Sequence, residues 1–472
     1  MIIKRIYEEN LAQASYLVGC QKTAEAIVID PNRNIDHYLR AAKSEGVRIT
    51  QVTETHIHAD FVSGAKELAE RAGAELLLSD EGGDDWRYAF ARESGARLLR
   101  DGDVINVGNI RLDVRHTPGH TPEHLSFIVT DTAATERAMG IMTGDFIFVG
   151  DVGRPDLLER AARMEGTMEK SARTLWHSLE RTRDLPDYLQ LWPGHGAGSA
   201  CGKALGAVPS TTLGYERITN WAFTSASEDD FVREVLAGQP EPPRYFAEMK
   251  RINRDGPASI GQLVRPAHLD ATVLAEHVRR GALVVDTRAA KNFAARHVHG
   301  TINIPFNRSF TNWMGSIVPF EGEFTLIADL HDIDRAAREL AMIGLDGLSG
   351  FFTLDAIDAC EQAGTPMAST TQMPVSELET HVRQHDVQVL DVRGQSEWDE
   401  GHIEGAIHIP LGSLPDRLGE LSHDMPVAIN CESGSRSAIA VSLLQAHGFT
   451  DVANVAGGYQ AWLRAHDGAG KR

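Results

Sequence analysis

The sequence predicts a multidomain α/β protein, and three observations support that prediction. The chain has 472 residues, a length that corresponds to roughly three domains. Strand-like and helix-like stretches alternate along its first half, as layered packing of sheets and helices requires. Two motifs in its second half recur at one constant distance, which indicates two copies of a single module.

Composition excludes several classes of function. The formal net charge is −20, from 46 Lys and Arg against 66 Asp and Glu. Such a chain, without a basic run, repels phosphate backbones and anionic lipids, so we expect neither nucleic acid nor a membrane as a partner. The N-terminus lacks a signal-peptide core, and no apolar run reaches the ~20 residues of a membrane helix. Four scattered cysteines without a Cys-x-x-Cys pair predict a reduced, cytoplasmic protein.

The elements of the first half follow from local patterns. Residues 24–31 are a short apolar run ended by Pro31, and residues 47–53 form another, so both predict strands. From Gly64 onward, good helix formers at helical spacing predict a helix. Further strands are predicted at 104–107, 110–115, 125–129 and 139–142. Residues 55–61 therefore lie in a strand-to-helix turn, where rigid elements hold loop side chains in place.

Four segments supply side chains that can bind a metal ion. They are Thr-His56-Ile-His58-Ala-Asp60-Phe61, the turn Pro-Gly-His120-Thr, the pair Gly-Asp145 and the turn Pro-Gly-His195-Gly. A single histidine is more often structural than metal-binding, so each segment alone is a weak signal. Together, and in this order, they resemble the metallo-β-lactamase fold, an αββα sandwich. The resemblance predicts a first domain at residues 1–245.

Within that fold the chain most resembles the persulfide dioxygenases, which hold a single iron. The resemblance implies that His56, His120 and Asp145 bind one Fe(II) per chain, with zinc as a substitute. Two imidazoles and one carboxylate form the facial triad of non-haem iron oxygenases. His58, Asp60 and His195 would then surround and orient these ligands, or, in a two-metal alternative, bind metal themselves.

Phe61 decides between one metal and two in this interpretation. In the two-metal hydrolases of the fold, a histidine closes the His-x-His-x-Asp run and helps to hold the second ion. Phe61 carries no lone pair, so the usual second site is incomplete. The departure favours one metal and shifts the expected chemistry from hydrolysis toward oxygen activation.

Arg154 and Cys201 are further candidates for substrate binding near the metal. Arg154 offers a partner for a substrate carboxylate, and the alternative is a structural ion pair with Asp156. Cys201 follows His195 by six residues in a glycine-rich loop and is within reach of the metal pocket. Its alternative is a buried, inert thiol.

The second half contains an internal repeat with an offset of 105 residues. Asp286-Thr-Arg288 recurs as Asp391-Val-Arg393, and the run from His297 to Pro305 recurs as the run from His402 to Pro410. One offset shared by both motifs predicts two tandem α/β modules. Residues 365–374 have the composition of a linker between them. The modules are predicted at 258–366 and 375–472.

Cys431 occupies a strand-loop-helix position in the second module. The peptide N–H groups and the positive end of the following helix favour a thiolate there. Gly434 allows the loop to curl into an anion nest, Arg436 adds positive charge, and Ser435 joins Gly434 as a candidate for substrate binding. The alternative is a core cysteine beside an ordinary helix cap.

The flanks of this loop, from Asp391-Val-Arg393 and Trp398 to Gly457-Gly458, resemble the rhodanese family. The related cysteine phosphatases place five residues between cysteine and arginine. Here only four intervene, so the resemblance favours a sulfurtransferase. The first module has no cysteine before Cys360, and we therefore expect a rhodanese fold without rhodanese chemistry. The predicted fold class is a metallo-β-lactamase αββα sandwich followed by two rhodanese-like α/β domains.

This order resembles bacterial fusions of persulfide dioxygenase with an inactive and an active rhodanese domain. The resemblance implies oxidation of a low-molecular-weight persulfide by dioxygen to sulfite, coupled to sulfur transfer that gives or uses thiosulfate. The alternative is a glyoxalase II-like thioester hydrolase fused to a sulfurtransferase. A third hypothesis is a non-enzymatic sulfur carrier. The thiol that carries the persulfide and assembly into a homo-oligomer both stay open.

Overall fold

The computed structural model describes residues 1–157, 166–203, 205–239, 241–261 and 264–467. The chain divides into two compact units, which are Met1–Leu263 with Ala341–Gly344 and Val264–Leu340 with Leu345–Arg472. The three domain boundaries inferred from the sequence stay predictions. Residues 158–165, 204, 240, 262–263 and 468–472, which fall within the predicted domains, lie outside the described residues.

The first unit contains two six-stranded sheets. The strands of the first sheet lie side by side in chain order and are β1 Ile2–Glu8, β2 Gln13–Cys20, β3 Glu25–Ile29, β4 Arg48–Thr53, β5 Glu75–Ser79 and β6 Arg97–Leu99. The second sheet has the order β12-β11-β10-β9-β8-β7, formed by β7 Val104–Val107, β8 Ile110–His116, β9 Leu125–Asp131, β10 Gly140–Gly144, β11 Gln190–Pro193 and β12 Thr211–Thr212.

Helices cover the outer faces of this sandwich. The helices of the first unit are Asp36–Glu45, Ala65–Ala72, Met168–Glu180, Leu213–Thr219, Trp221–Thr224, Glu228–Leu236 and Phe246–Asp255. The first two end at Gly46 and Gly73, both with positive φ, a conformation that glycine adopts without steric cost.

Three apolar clusters hold the four layers together. One joins the first two helices to the first sheet through residues such as Tyr38 and Leu68. The second lies between the sheets and includes Phe127, and the third joins the second sheet to helices through Leu175 and Phe231. Burial of apolar surface from both faces of each sheet is the main stabilising term of such a sandwich. The predicted αββα arrangement is confirmed, as are the strands and the helix predicted between residues 24 and 142.

The second unit contains two five-stranded parallel sheets of identical topology. The first has the order β13-β18-β17-β14-β16 and the second the order β20-β24-β23-β21-β22, so corresponding strands occupy corresponding places. The strands of the first sheet are β13 Ala267–His268, β14 Leu283–Asp286, β16 Ile302–Asn303, β17 Phe324–Ile327 and β18 Leu348–Phe352. Those of the second are β20 Thr371–Met373, β21 Gln388–Asp391, β22 Ile407–His408, β23 Val427–Asn430 and β24 Val452–Val455.

Each copy also has five helices among the residues that the structure describes. Those of the first copy are Leu274–Arg279, Ala290–Ala295, Phe310–Ile317, Ile333–Met342 and Asp355–Gln362. Those of the second are Val375–Gln384, Gln395–Asp399, Leu414–Arg417, Ser435–Ala446 and Gly458–Asp467. The internal repeat is thus confirmed at the level of topology.

The segment predicted as a linker is more ordered than its composition indicated. Within residues 365–374, the strand β19 Met367–Ala368 pairs with β15 His297–Val298, and β20 opens the second sheet. Composition did not indicate these strands, because a short edge strand needs only backbone partners. None of the helices in the described part of the chain combines the length and the apolar composition needed to cross a membrane.

Candidate functional site

The predicted metal-binding run lies in the turn between strand β4 and the helix Ala65–Ala72. The side chain of Asn253 holds this turn, because its amide donates to the carbonyl oxygens of His58 and Phe61 at 2.8 and 2.7 Å. Its own oxygen accepts from the N–H of Ser63 at 2.9 Å. Asn253 is buried and lies in the helix Phe246–Asp255. Sequence reasoning missed it, since no local signal connects positions about 190 residues apart.

His56, His120 and Asp145 lie together at the ends of different elements. Each offers one ligand atom, and these atoms all lie within 4.8 Å of one another. Oδ2 of Asp145 is 3.5 Å from Nε2 of His120 and 3.9 Å from Nε2 of His56. All three side chains are buried. The structure therefore brings together the three residues that the resemblance implied as metal ligands.

Hydrogen bonds leave the Nε2 lone pairs of both histidines facing the carboxylate. Nδ1 of His120 donates to the carbonyl oxygen of Arg154 at 3.1 Å. Nδ1 of His56 lies 2.9 Å from Oγ1 of Thr55, whose hydroxyl donates to Asp30, so this histidine donates as well. Burial lowers the pKa of both imidazoles, which keeps them neutral and able to bind a metal.

Asp145 supplies the test of whether a cation fits here. Both of its carboxylate oxygens are buried and have no hydrogen-bond partner among the described residues. A buried carboxylate without a donor is costly unless an ion compensates it. Two imidazole lone pairs directed at such a carboxylate form a donor set suited to a divalent metal, so His56, His120 and Asp145 fit the group that they were predicted to hold.

His195 and Asp60 lie beside this group. Nε2 of His195 is 3.3 Å from Oδ2 of Asp60 and 3.5 Å from Oδ2 of Asp145. Nδ1 of His195 donates to the carbonyl oxygen of Ala12 at 3.1 Å. Cys201 completes a second set with Asp60 and His195, in which all three ligand atoms lie within 4.8 Å of one another. The predicted reach of Cys201 to the metal pocket is thus met by the geometry.

His58 contacts Asp30 and is not one of the three residues whose ligand atoms form the first group. Its Nε2 lies 3.2 Å from Oδ1 of Asp30, and its ring packs on Phe61 with centroids 4.3 Å apart. Burial alone would lower its pKa, but the carboxylates of Asp30, Glu54 and Asp60 together outweigh burial and raise the pKa of His58 to about 9. The contact with Asp30 orients the His58 ring, and Nδ1 of His58 is buried without a hydrogen-bond partner in the described part of the chain.

Arg154 shows the ion pair that was the alternative to substrate binding. Its Nε and Nη2 donate to both oxygens of Asp156 at 3.0 and 2.7 Å, and Nη1 donates to the carbonyl oxygen of Ala200 at 2.9 Å. The side chain is fully buried. Through its own carbonyl and through Ala200, Arg154 positions His120 on one side and the loop that carries Cys201 on the other.

The sequence did not identify three further buried titratable side chains near the metal-binding run. Burial raises the pKa of Glu54 and of Glu123 to about 7, and Glu123 accepts from the N–H of Ile57 at 2.7 Å. Burial, with Asp60 and Cys201 nearby, raises the pKa of Tyr245 well above its usual value. Titratable groups with strongly shifted pKa values often mark functional sites. These three could not be identified from the sequence, because only the fold brings them together.

In the second unit, Cys431 lies at the end of strand β23 with its sulfur in a cradle of donors. The N–H of Gly434 donates to Sγ at 3.1 Å, and the hydroxyl of Ser437 donates at 3.2 Å. Gly434 has φ of 99°, which favours glycine. Ser435, whose side chain is exposed, begins the helix Ser435–Ala446. The donors stabilise negative charge on sulfur.

The positive charge of Arg436 is compensated by a carboxylate. Its Nη1 and Nη2 donate to the two oxygens of Glu397, both at 2.6 Å. Although burial would raise it, the pKa of Glu397 is held below its ordinary value by Arg436. Sequence reasoning missed Glu397, although it directly precedes Trp398 of the quoted motif. The pair positions the guanidinium and partly neutralises it.

Two family models match separate parts of the chain. The metallo-beta-lactamase superfamily model matches residues 10–195, and the rhodanese-like domain model matches residues 374–465. The structure is similar to that of a metallo-beta-lactamase from Staphylococcus aureus subsp. aureus COL, with 43% identity and a TM-score of 0.67 over 75% of this chain and 99% of that chain. The predicted metallo-β-lactamase fold followed by rhodanese-like domains is confirmed, and both folds indicate an enzyme.

Relatives whose names give two different activities are similar to part of this chain. A hydroxyacylglutathione hydrolase of Methylobacterium nodulans is 30% identical over 237 residues, which are 45% of this chain and 83% of that protein. The mitochondrial persulfide dioxygenase ETHE1 of Bos taurus is 27% identical over 201 residues, 41% of this chain and 68% of that protein. The chain spans 62% of a beta-lactamase hydrolase-like protein of Xylella fastidiosa, with 26% identity over 299 residues.

Proposed function

The chain belongs to the metallo-beta-lactamase superfamily and carries a rhodanese-like domain, and from this premise we propose that it oxidises a low-molecular-weight persulfide and transfers sulfane sulfur. The first activity belongs to residues 1–245 and the second to residues 375–472, with the module at 258–366 between them. The observation that carries the proposal is the buried group of His56, His120 and Asp145 beside Phe61.

The reaction of the first unit balances without a further reductant. A persulfide, dioxygen and water give a thiol, sulfite and two protons. The S–S bond breaks, the outer sulfur loses four electrons, and dioxygen accepts those four electrons. When bound by His56, His120 and Asp145, one Fe(II) would supply the redox chemistry that lets dioxygen react with the sulfur compound.

Other residues of this chain orient the metal ligands and surround the site. The carbonyl of Arg154 and the hydroxyl of Thr55 fix the tautomers of His120 and His56, so the ligand atoms are oriented before a metal binds. Asn253 holds the turn, and the apolar ring of Phe61 is fully buried next to His58. A buried, apolar surrounding of this kind strengthens the electrostatic interactions of the metal ligands.

The thiol of Cys431 carries out the second reaction as a nucleophile. Its thiolate attacks the outer sulfur of a persulfide, an S–S bond forms at Cys431, and the original S–S bond breaks to release a thiol that takes up the proton. Sulfite then attacks the outer sulfur, thiosulfate leaves, and the Cys431 thiolate is restored. The N–H of Gly434 and the hydroxyl of Ser437 stabilise the charged sulfur in both steps. The reverse direction uses thiosulfate as donor.

The metal and oxygen uptake test the proposal directly. Protein purified without oxygen and supplied only with iron should hold one Fe(II) per chain and consume oxygen with glutathione persulfide. His120→Ala should lose both the iron and the oxygen uptake, whereas Cys431→Ser, the matched control in the other unit, should keep both. Thioester hydrolysis by a two-zinc form, with no oxygen uptake by the iron form, would overturn the assignment.

A glyoxalase II-like thioester hydrolase fused to a sulfurtransferase is the second candidate. The hydroxyacylglutathione hydrolase of Methylobacterium nodulans, 30% identical over 237 residues, favours it. Hydrolysis in that interpretation needs two ions and an activated water. The same protein samples, assayed with S-lactoylglutathione after loading with zinc, separate the two activities.

A further inference from the structure

We propose that residues 341–344, which end a helix of the first rhodanese-like copy, position the metal-binding run of the first unit. This copy lacks the cysteine nucleophile, and the proposal gives it a role in the metal centre in place of sulfur transfer. The proposal rests on metal binding by His56, His120 and Asp145. It does not depend on which reaction the metal supports.

The segment Ala341–Gly344 belongs to the first unit, although the residues before and after it belong to the second. It contains the last two residues of the helix Ile333–Met342 and the glycine that follows the helix. Ala341, Met342 and Ile343 are buried. Because the carbonyl groups in the last turn of a helix have no partner within the helix, a buried helix end needs donors from elsewhere.

The first unit supplies these donors. The N–H of Val62 donates to the carbonyl oxygen of Met342 at 2.7 Å, and Nη1 of Arg33 donates to the carbonyl oxygen of Ala341 at 3.1 Å. Nη2 of Arg33 donates to the carbonyl oxygen of Ala258 at 3.0 Å. Val62 and Arg33 are both buried. A cation at this end of a helix is favourable, because the terminal carbonyl groups carry partial negative charge.

The turn that closes the metal-binding run is held by acceptors from three other parts of the chain. The N–H groups of residues 62, 63 and 64 donate in this order to the carbonyl oxygen of Met342 at 2.7 Å, Oδ1 of Asn253 at 2.9 Å and the carbonyl oxygen of Pro31 at 2.8 Å. Metal ligands on a loop keep their geometry when surrounding groups hold the loop. The run therefore depends on Met342 in the same way as it depends on Asn253.

Gly344 allows the segment to approach this turn closely. A Cβ atom at this position would lie 3.2 Å from Cγ2 of Val62 and from Cδ1 of Ile252, and 3.3 Å from Cε of Met249. These distances are shorter than ordinary van der Waals contacts. Ile252 and Met249 lie in the helix Phe246–Asp255, which also carries Asn253. The segment thus packs against the turn and against the helix that holds it.

The second copy provides a matched glycine. Gly344 and Gly448 each follow a helix, and each donates its N–H to the carbonyl three residues earlier. Their φ angles are 72° and 87°, so a valine at either position meets comparable backbone strain. A Cβ atom at Gly448 would have no described atom within 4 Å. Only at Gly344 would the added side chain press on the metal-binding turn.

Anaerobic titration of the metal-free, full-length protein with Fe(II) tests the proposal. Gly344→Val should weaken Fe(II) binding by about tenfold, as expected for groups that orient metal ligands, whereas Gly448→Val should bind Fe(II) as the unmodified protein does. Nitric oxide added to the Fe(II) forms gives an electron paramagnetic resonance signal whose shape depends on the ligand geometry. That signal should change in Gly344→Val alone.

The signal separates positioning from stability. A loss of stability lowers the folded fraction but leaves the signal of the folded protein unchanged. An Fe(II) affinity and a signal of Gly344→Val equal to those of Gly448→Val overturn the proposal.

Arg33 offers a second pair of variants, which replaces Gly344→Val if that variant does not fold. Arg33→Met removes the cation and the donors at the helix end, so it should weaken Fe(II) binding. Arg33→Lys keeps the positive charge there and should restore most of the affinity. An Fe(II) affinity of Arg33→Met equal to that of the unmodified protein overturns the proposal.

A measurement on the unmodified protein needs no variant. Because coupling between two parts of a protein is reciprocal, Fe(II) binding should slow hydrogen exchange in residues 341–344 and leave residues 446–449 unchanged. Equal exchange in 341–344 with and without Fe(II) overturns the proposal. Failure of the proposed function gives a different result, since Fe(II) binding without oxygen uptake refutes only the dioxygenase assignment.

Discussion

The two modules of the second unit have the same framework but differ at one loop. In the first copy, Arg288 donates to both oxygens of Asp286 and to the carbonyl of Arg296. In the second, Arg393 donates to both oxygens of Asp391 and to the carbonyl of Gly401. Each of these residues is 105 positions from its counterpart, so the copies reproduce single hydrogen bonds as well as topology.

A ring pair is repeated in the same way. Phe293 stacks on His297 with centroids 3.7 Å apart, and Trp398 stacks on His402 at 3.6 Å. In both pairs Nδ1 of the histidine lies near the carbonyl oxygen of the aromatic residue, at 2.9 and 3.1 Å. These contacts occur in both copies and belong to the shared framework.

The loop after the central strand differs in every feature that stabilises an anion. Strand β23 is followed by Cys431, whereas strand β17 is followed by Ala328. The first copy continues with Asp329-Leu-His-Asp332 and places Asp329 where its carboxylate accepts from the N–H of His331 at 3.0 Å. A carboxylate in the loop repels the anions that a cradle of N–H groups attracts.

The residue that corresponds to Glu397 also differs between the two copies. Its counterpart 105 residues earlier is Asn292, so the first copy lacks the carboxylate that holds Arg436 in the second. The comparison teaches that the two copies share the ion pair and the ring pair, whereas the cysteine loop and the Glu397–Arg436 pair belong to the second copy.

The largest effect is expected at the nucleophile. Cys431→Ser removes the sulfur acceptor, so thiosulfate:cyanide transfer should fall by at least about a thousandfold. Oxygen uptake with persulfide should continue while sulfite accumulates in place of thiosulfate. Initial rates are needed because sulfite also reacts with persulfide without an enzyme. Cys360→Ser in the first copy is the matched control and should change nothing; unchanged thiosulfate formation by Cys431→Ser would contradict the coupling.

The second largest effect is expected at the buried ion pair of Arg393 and Asp391. Removal of Arg393, 2% exposed, leaves Asp391 buried without compensation, so Arg393→Ala should destabilise the second module by about 3 kcal/mol or more. Arg288 is 13% exposed, and water reaches that pair, so Arg288→Ala should cost less. Segment-resolved hydrogen exchange of strands β23 and β17 measures each module separately. Equal losses of protection would show that solvent access does not distinguish the two pairs.

A smaller effect is expected at Glu397. Glu397→Gln removes the charge that holds the guanidinium of Arg436, so the rate of sulfur transfer should fall by about tenfold while the fold stays intact. Steady-state kinetics with thiosulfate and cyanide give the change. Glu400→Gln, an exposed residue of the same segment, is the control. A Glu397→Gln rate equal to that of the control would mean that Arg436 acts without its partner.

The smallest effect is expected from introducing a cysteine into the first copy at the place that corresponds to Cys431. Ala328→Cys in the Cys431→Ser background should leave sulfur transfer at the level of Cys431→Ser alone, because the loop of the first copy carries carboxylates in place of the anion nest. The assay is the same thiosulfate:cyanide transfer. Recovery of activity would show that the nucleophile was the only missing part.

The sequence by itself determined whatever depends on residues close together in the chain. Apolar runs and their stop signals predicted the strands of the first unit, and the shared offset of 105 predicted two modules of one topology. The spacing of Cys431 and Arg436 predicted a small anion-binding loop, and the structure supplies the expected N–H donor from Gly434. Periodicity and loop spacing are local properties, so they can be recognised before the chain folds.

Only the tertiary structure decided which distant side chains meet. Asn253 reaches the metal loop across about 190 positions, and Glu397 pairs with Arg436. The structure also chose between the two partners that the sequence left open for Arg154, which pairs with Asp156. The approach of Cys201 to Asp60 and His195 is another such contact. The packing of sheets and helices determines which of these side chains meet. Their charges interact strongly only after the folded layers have buried them.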